Sequence, residues 1–113
     1  MSPLMDEQEF RRRVESAMEA LKQALIRAEE TAGLEVEEQA GALQVIFEEP
    51  PAKFVITPNT PVRQIWISAM STSFKLEWSE TSGDFVLERT GERLKQLVGR
   101  LAGEQLGHPV ELE

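Results

Sequence analysis

The spacing of the apolar residues changes twice along this chain, and these changes constrain its fold more than any other feature. From Asp6 to about Thr31 the spacing is three and four residues, which predicts one face of an α-helix of about seven turns. That face consists of Phe10, Val14, Ala17, Met18, Leu21, Ala24, Leu25 and Ala28. Acidic residues at the start suit the helix dipole, and Gly33 is a plausible end.

Between Leu34 and Arg89 apolar and polar residues alternate in short segments, the pattern of β-strands with one buried face. The clearest segments run from Leu43 to Phe47 and from Phe74 to Trp78. Further strands are predicted at 34–38, 53–57, 64–68 and 85–88. The short turns between them favour an antiparallel meander. After Gly91 the helical spacing returns, and this second helix is predicted to end near residue 103 or 107.

These elements predict an α+β two-layer sandwich, in which two helices pack on one face of an antiparallel sheet of about six strands. The other face of the sheet should meet water. The 113 residues are expected to form a single domain, residues 1–113. The ends, 1–5 and 107–113, are expected to be loose, although Val110 and Leu112 offer apolar side chains that can pack across the helices.

Composition and charge disfavour several classes of protein. Hydrophobic residues make up 41% and charged residues 28%, which is ordinary for a globular domain, and no apolar stretch approaches the roughly 20 residues that span a bilayer. A net charge of -8 disfavours binding to nucleic acid or to an anionic membrane. The absence of cysteine excludes disulfides and thiolate metal sites. No targeting segment is recognisable, so we expect a cytoplasmic protein.

Catalytic motifs are missing as well. The sequence has no Gly-rich phosphate loop, no G-x-S-x-G elbow and no H-E-x-x-H pair. Its single histidine, His108, lies between Gly107 and Pro109 and is predicted to be a solvated surface residue. We therefore expect no enzyme activity.

Acidic residues are concentrated in the first part of the chain. Residues 1–49 hold twelve acids and five bases, and the rest holds eight and seven. One stripe of the first helix and the strand after it carry Glu15, Glu19, Glu29, Glu30, Glu35, Glu37 and Glu38, with Lys22 and Ile26 in the same stripe. Carboxylates without His or Cys suit hard cations held on an open surface. The alternative is a solvated acidic face that keeps the protein soluble.

The segment Gln64-Ile65-Trp66-Ile67-Ser68 offers a second candidate surface. Side chains alternate along a strand, so if the two isoleucines face the helices, Trp66 faces solvent between polar neighbours. A large exposed aromatic is typical of a protein interface. The alternative is that a loop covers Trp66 or that both faces are buried, whereas Trp78 is predicted to belong to the core.

The segment Phe54-Val55-Ile56-Thr57-Pro58-Asn59-Thr60-Pro61-Val62-Arg63-Gln64-Ile65-Trp66-Ile67-Ser68 resembles the central part of the frataxin family, whose bacterial members are called CyaY. The resemblance continues through Phe74-Lys75-Leu76-Glu77-Trp78 and Arg89-Thr90-Gly91-Glu92, and the Glu9-Phe10 start of the first helix matches in place. It covers about residues 9–107, and the Thr-Pro-x-x-Gln-Ile-Trp core is its most specific part.

The resemblance implies the same helix–sheet–helix sandwich and a role in iron–sulfur cluster assembly, through contact with a cysteine desulfurase and a scaffold protein. It also implies weak binding of Fe²⁺ or Fe³⁺ on the first helix and first strand, where the matching residues are Glu15, Glu19, Glu29, Glu30, Glu35 and Glu37. The implied partner surface contains Trp66 with Gln64, and we expect Arg63 and Ser68 beside them to contribute.

Part of the family's acidic series is replaced in this chain. Lys22, Gln23, Ile26 and Arg27 stand where relatives carry acids, so iron binding should be weaker, shifted towards the helix end and the first strand, or lost. We expect a monomer that acts as an iron donor or regulator. The alternative is a small acidic chaperone of the secretion type, which binds protein without metal.

Overall fold

The structure is a computed structural model that describes residues 5–112. Helix α1 spans Glu7–Ala32, close to the predicted bounds. The Asp6 carboxylate caps it by accepting hydrogen bonds from the backbone N–H of Gln8 and Glu9. Gly33 ends it in the left-handed conformation, with φ 81°.

Within residues 5–112, seven antiparallel strands follow one another in a single sheet, in chain order. They are β1 (Leu34–Gln39), β2 (Ala42–Glu48), β3 (Pro51–Asn59), β4 (Gln64–Ala69), β5 (Thr72–Ser79), β6 (Asp84–Leu87) and β7 (Glu92–Arg93). A short 3₁₀ turn, Thr60–Val62, joins β3 to β4. The meander is as predicted, but the strand number is one higher, because the two-residue β7 pairs with β6 and is too short to show alternation.

Helix α2 spans Leu94–Leu106 and packs with α1 on one face of the sheet. The core between the layers contains the apolar stripes of both helices and alternate residues of the strands. Phe10 of α1 meets Phe85 of β6 edge to face, with ring centroids 5.9 Å apart. Trp78 is partly buried and packs against this core, so its predicted placement is confirmed.

The C-terminal segment after α2 is packed rather than loose. Val110 and Leu112 are partly buried against the core, and the backbone of residues 108–112 crosses α2 at Gly99 and Gly103. A Cβ atom on Gly99 would lie 2.9 Å from the Val110 carbonyl oxygen, so this close approach needs glycine. Met5 also packs against the core. The rest of the predicted loose ends, residues 1–4 and 113, lies outside the described residues. In the part that is described, no helix is long and apolar enough to cross a membrane.

Candidate metal and partner surfaces

Trp66 lies on the face of the sheet opposite the helices, as the alternation in β4 predicted. Ile65 and Ile67 are fully buried against the helix layer, whereas Trp66 stays partly exposed. Its cross-strand neighbours are Thr57 on β3 and Lys75 on β5. Trp66 therefore occupies the middle of the open face.

Polar neighbours fix the orientation of the indole. The Trp66 Nε1–H donates a hydrogen bond to Gln64 Oε1 at 2.8 Å, and Gln64 Nε2 donates in turn to Glu77 Oε2 at 3.0 Å. Lys75 Nζ lies 4.8 Å from the centroid of the indole ring, within the range of a cation–π contact. These contacts come from β4 itself and from the paired strand β5, and they hold the partly exposed indole in one orientation.

The other two predicted partner residues differ in placement. Ser68 lies exposed on the same face as Trp66, opposite Ser73 of β5. Arg63 has φ 56°, and its side chain binds two backbone carbonyls instead of joining this group. Its Nε donates to the Met5 carbonyl oxygen at 2.8 Å, and its Nη1 donates to the carbonyl oxygen of Thr60. The guanidinium thus ties the chain before α1 to the connection between β3 and β4.

Sequence reasoning placed Lys75 and Glu77 on the outward face of β5 but did not connect them with Trp66. The missing information is the register, which pairs Trp66 with Lys75 and Gln64 with Glu77. That register follows from a two-residue turn at Met70 and Ser71, both with positive φ. Neither residue is a usual choice at such positions, so the sequence gives little sign of this turn.

The predicted acidic residues lie along α1, from Glu15 to Glu30, and on the neighbouring edge strand β1. Glu29 is engaged there, because its Oε2 accepts a hydrogen bond from the backbone N–H of Val36 at 2.8 Å. The two-residue turn after Gln39 makes the N–H of Val36 point away from β2, towards the open edge. Glu29 therefore satisfies a donor of the edge strand, which limits its freedom to bind a metal.

Lys22 connects α1 to the same strand. Its Nζ lies 3.1 Å from Glu38 Oε1, and the side chains are 29% and 53% exposed. The hydrogen bond and charge of Glu38 raise the pKa of Lys22, with a smaller contribution from Glu19. Glu19 also accepts a hydrogen bond from Gln23 Nε2 at 2.8 Å. The ammonium of Lys22 thus stands among the carboxylates of this surface.

The alternation of β1 separates the remaining acids. Leu34 and Val36 face the helix layer, and Glu38 follows them on that side. Glu35 and Glu37 are exposed on the other face, across from Ile46 and Gln44 of β2. Glu15 and Glu30 are exposed on α1. Within residues 5–112, no three His, Cys, Asp or Glu side chains are grouped closely enough to hold a metal ion. Any cation here would keep most of its water ligands and be held weakly.

Comparison with known proteins agrees with this fold. The frataxin-like domain family matches residues 3–108. This chain belongs to the frataxin-like family. Two relatives are named iron-sulfur cluster assembly protein CyaY. The protein from Azotobacter vinelandii (strain DJ) is 31% identical over 78 residues, which is 69% of this chain and 70% of that protein. The protein from Pseudomonas putida (strain F1) is 30% identical over 103 residues, which is 89% of this chain and 93% of that protein.

A solved structure shows the same frataxin fold. The frataxin of Psychromonas ingrahamii, from a study of stability modulation in the CyaY family, superposes with a TM-score of 0.80 at 16% identity, covering 95% of this chain and 97% of that one. At this identity the match concerns the fold alone. It agrees with two helices on one face of an open antiparallel sheet.

Proposed function

We propose that this frataxin-like protein binds iron weakly at surface carboxylates and acts, without catalysing a reaction itself, as an iron donor or regulator in iron–sulfur cluster assembly. It would do so by contacting a cysteine desulfurase and the scaffold protein. Family membership and the names of the CyaY relatives support this pathway. The observation that carries the proposal is Trp66 on the open face, held in place by Gln64 and Lys75.

The open face has the properties of a contact surface. Trp66 is a large aromatic side chain whose N–H already donates to Gln64 and whose ring already contacts Lys75. Binding would therefore bury the indole with little loss of rotational freedom. Val62, on the 3₁₀ turn that joins β3 to β4, is a second exposed apolar side chain, 40% accessible. Gln64, Lys75 and Glu77 form a polar border that can determine orientation.

The acidic surface supplies a second contact. Exposed carboxylates on α1 and β1 would attract a basic patch on the desulfurase and would speed association in a salt-dependent way. The same carboxylates suit Fe²⁺ as cargo, since they are hard oxygen ligands. Iron would be held by one or two carboxylates together with water.

Binding of purified cysteine desulfurase, measured by biolayer interferometry, tests the proposal. Trp66→Ala should weaken binding by roughly thirtyfold if Trp66 is an interface hot spot worth about 2 kcal/mol. Ile46→Ala, an apolar truncation on the same face but on β2, is the matched control and should change affinity less than threefold.

The charge contribution is tested separately with Glu30→Lys and Glu37→Lys in one variant. It should weaken binding strongly at low salt and little at high salt. Glu88→Lys, an exposed acid after β6, is the control for a general charge effect. Unchanged desulfurase affinity in both the Trp66→Ala and the double Lys variants would contradict the proposal.

A further inference from the structure

Positive charge collects near the start of α1, in a chain whose net charge is -8. Arg12 and Arg13 lie there, and Lys95 lies in the first turn of α2. All three line one pocket of about 440 Å³, to which β5 and the start of β6 also contribute. Of the described residues around this pocket only Asp84 is acidic, so three positive side chains face one negative one. The pocket is therefore positively charged.

Two of these cations have no counter-ion. Among residues 5–112, neither Arg12 nor Lys95 takes part in a hydrogen bond or an ion pair, although Lys95 is half-buried. Asp84 forms no ion pair with them, and its Oδ1 accepts a hydrogen bond from the backbone N–H of Phe85 at 2.7 Å. Partial burial of an unpaired ammonium costs free energy, and an anion in the pocket would offset that cost.

Arg13 is held in place at one side of the same pocket. Its Cζ lies 4.7 Å from the centroid of the Trp78 ring, and its Nη2 lies 3.5 Å from Glu9 Oε2. A guanidinium has five N–H donors, so several remain that can bind a ligand. Ser16, one turn after Arg12, adds a hydroxyl group to the lining.

We propose that this pocket binds a small molecule carrying two negative charges on oxygen, such as a phosphate ester or a dicarboxylate. The guanidinium groups of α1 match the oxygen pairs of phosphate and carboxylate, and Lys95 supplies a point charge from α2. The pocket volume lies within the usual range for small-molecule sites, roughly 300–1,000 Å³. Ala17 and Ala20 leave an apolar lining for the organic part of the ligand. The proposal is independent of the function proposed above, because Trp66 lies on the opposite face of the sheet.

Amide and arginine Nε–H NMR spectra of the full chain, recorded during titration with inorganic phosphate, phenyl phosphate and succinate, test the proposal. At least one probe should bind saturably in the millimolar range, with the largest shifts at Arg12, Arg13 and Lys95. Tighter binding of the phosphate probes identifies a phosphate ester, and tighter binding of succinate identifies a dicarboxylate. Arg12→Gln and Lys95→Gln should each weaken that binding about fivefold, as loss of a unit charge about 5 Å from a dianion predicts at moderate salt.

Two further variants show whether the effect is local to the pocket. Asp84→Asn removes the one negative charge but keeps an oxygen that can accept from Phe85, so it should tighten binding by about threefold. Lys53→Gln removes a positive charge from an exposed position on β3 and should leave the affinity within about twofold. The amide spectrum of each variant also shows that it is folded.

Shifts that rise linearly with all three probes, without saturation, would overturn the proposal, as would equal weakening by Lys53→Gln and Lys95→Gln. A hexaglutamate peptide that binds the pocket when none of the small probes does would also overturn it, because the pocket would then be a protein contact. Each of these results is separate from desulfurase binding by the Trp66 and acidic-surface variants, so failure of this proposal and failure of the proposed function are distinguishable.

Discussion

Replacing Gly99 with alanine should destabilise the protein even though alanine is the better helix former. Gly99 lies inside α2, where Gly→Ala normally adds about 1 kcal/mol to helix stability. Here a new Cβ would lie 2.9 Å from the Val110 carbonyl oxygen, which belongs to the backbone and cannot rotate away. The C-terminal segment would have to move off the helix.

The cost follows from what that segment buries. Val110 and Leu112 are both partly buried against the core, and losing about half the burial energy of each side chain costs roughly 2 kcal/mol in total. After subtracting the gain in helix propensity, Gly99→Ala should lower the free energy of unfolding by about 1 kcal/mol. For a domain of this size the melting temperature should fall by roughly 4 °C.

Thermal and urea unfolding of four chains separate the gain in helix propensity from the clash with the C-terminal segment. The chains are the unmodified protein, Gly99→Ala, a truncation after Pro109, and the truncation carrying Gly99→Ala. Once the segment is absent the clash is gone, so the same substitution should raise stability by about 0.5–1 kcal/mol. A substitution that stabilises both backgrounds, or destabilises both equally, would refute the packing argument.

Three further predictions concern single contacts. Asp6→Ala should lower the free energy of unfolding by about 1 kcal/mol, because two N–H groups of the first turn of α1 lose their acceptor; Asp6→Asn keeps an acceptor and should lose less in the same urea titration. Glu29→Ala should speed hydrogen exchange at the Val36 amide, whereas Glu29→Gln keeps an acceptor and should preserve protection. Equal exchange in both variants would contradict the hydrogen bond from the Val36 N–H to Glu29. Arg100 holds the pKa of Glu92 below its ordinary value through hydrogen bonds, so the stabilisation is present above about pH 4.5 and is lost as the pH falls through the lowered pKa in the folded state. Arg100→Gln should therefore flatten the acid side of the stability–pH curve by less than about 1 kcal/mol, since both side chains remain partly exposed, 42% for Arg100 and 21% for Glu92. A curve unchanged by the substitution would argue against the pair.

Much of the fold was predictable because hydrophobic spacing determines which face of each element is buried. The 26-residue α1, the meander and the inward isoleucines of β4 all follow from spacing alone. The structure differs from the prediction where strand pairing forms or extends a strand that alternation in the sequence does not mark. β7 has two residues and exists because Glu92 pairs with Leu87, and β3 continues through Pro58 because that residue pairs with Ile65.

The surfaces were less predictable, because they depend on contacts between elements. The resemblance implied Glu35 and Glu37 as the β1 residues of the acidic surface, but Glu38 is the one that lies beside α1. Alternation from Leu34 and Val36, which face the helix layer, accounts for this placement. The ion pair of Glu38 with Lys22 requires the position of the helix and cannot be obtained from periodicity. The Arg63 side chain reaches Met5 because the Arg63 backbone has a positive φ. A positive φ at a residue other than glycine cannot be predicted from the sequence here.

The most direct test of the proposed function is an amide NMR map of this chain on adding purified cysteine desulfurase. We predict the largest changes at residues 64–68 and 75–77 on the open face and along the acidic surface of α1 and β1. The outer face of α2, around Arg100 and Glu104, should be unaffected. Changes confined to α2 and the C-terminal segment, with Trp66 unmoved, would contradict the proposed function.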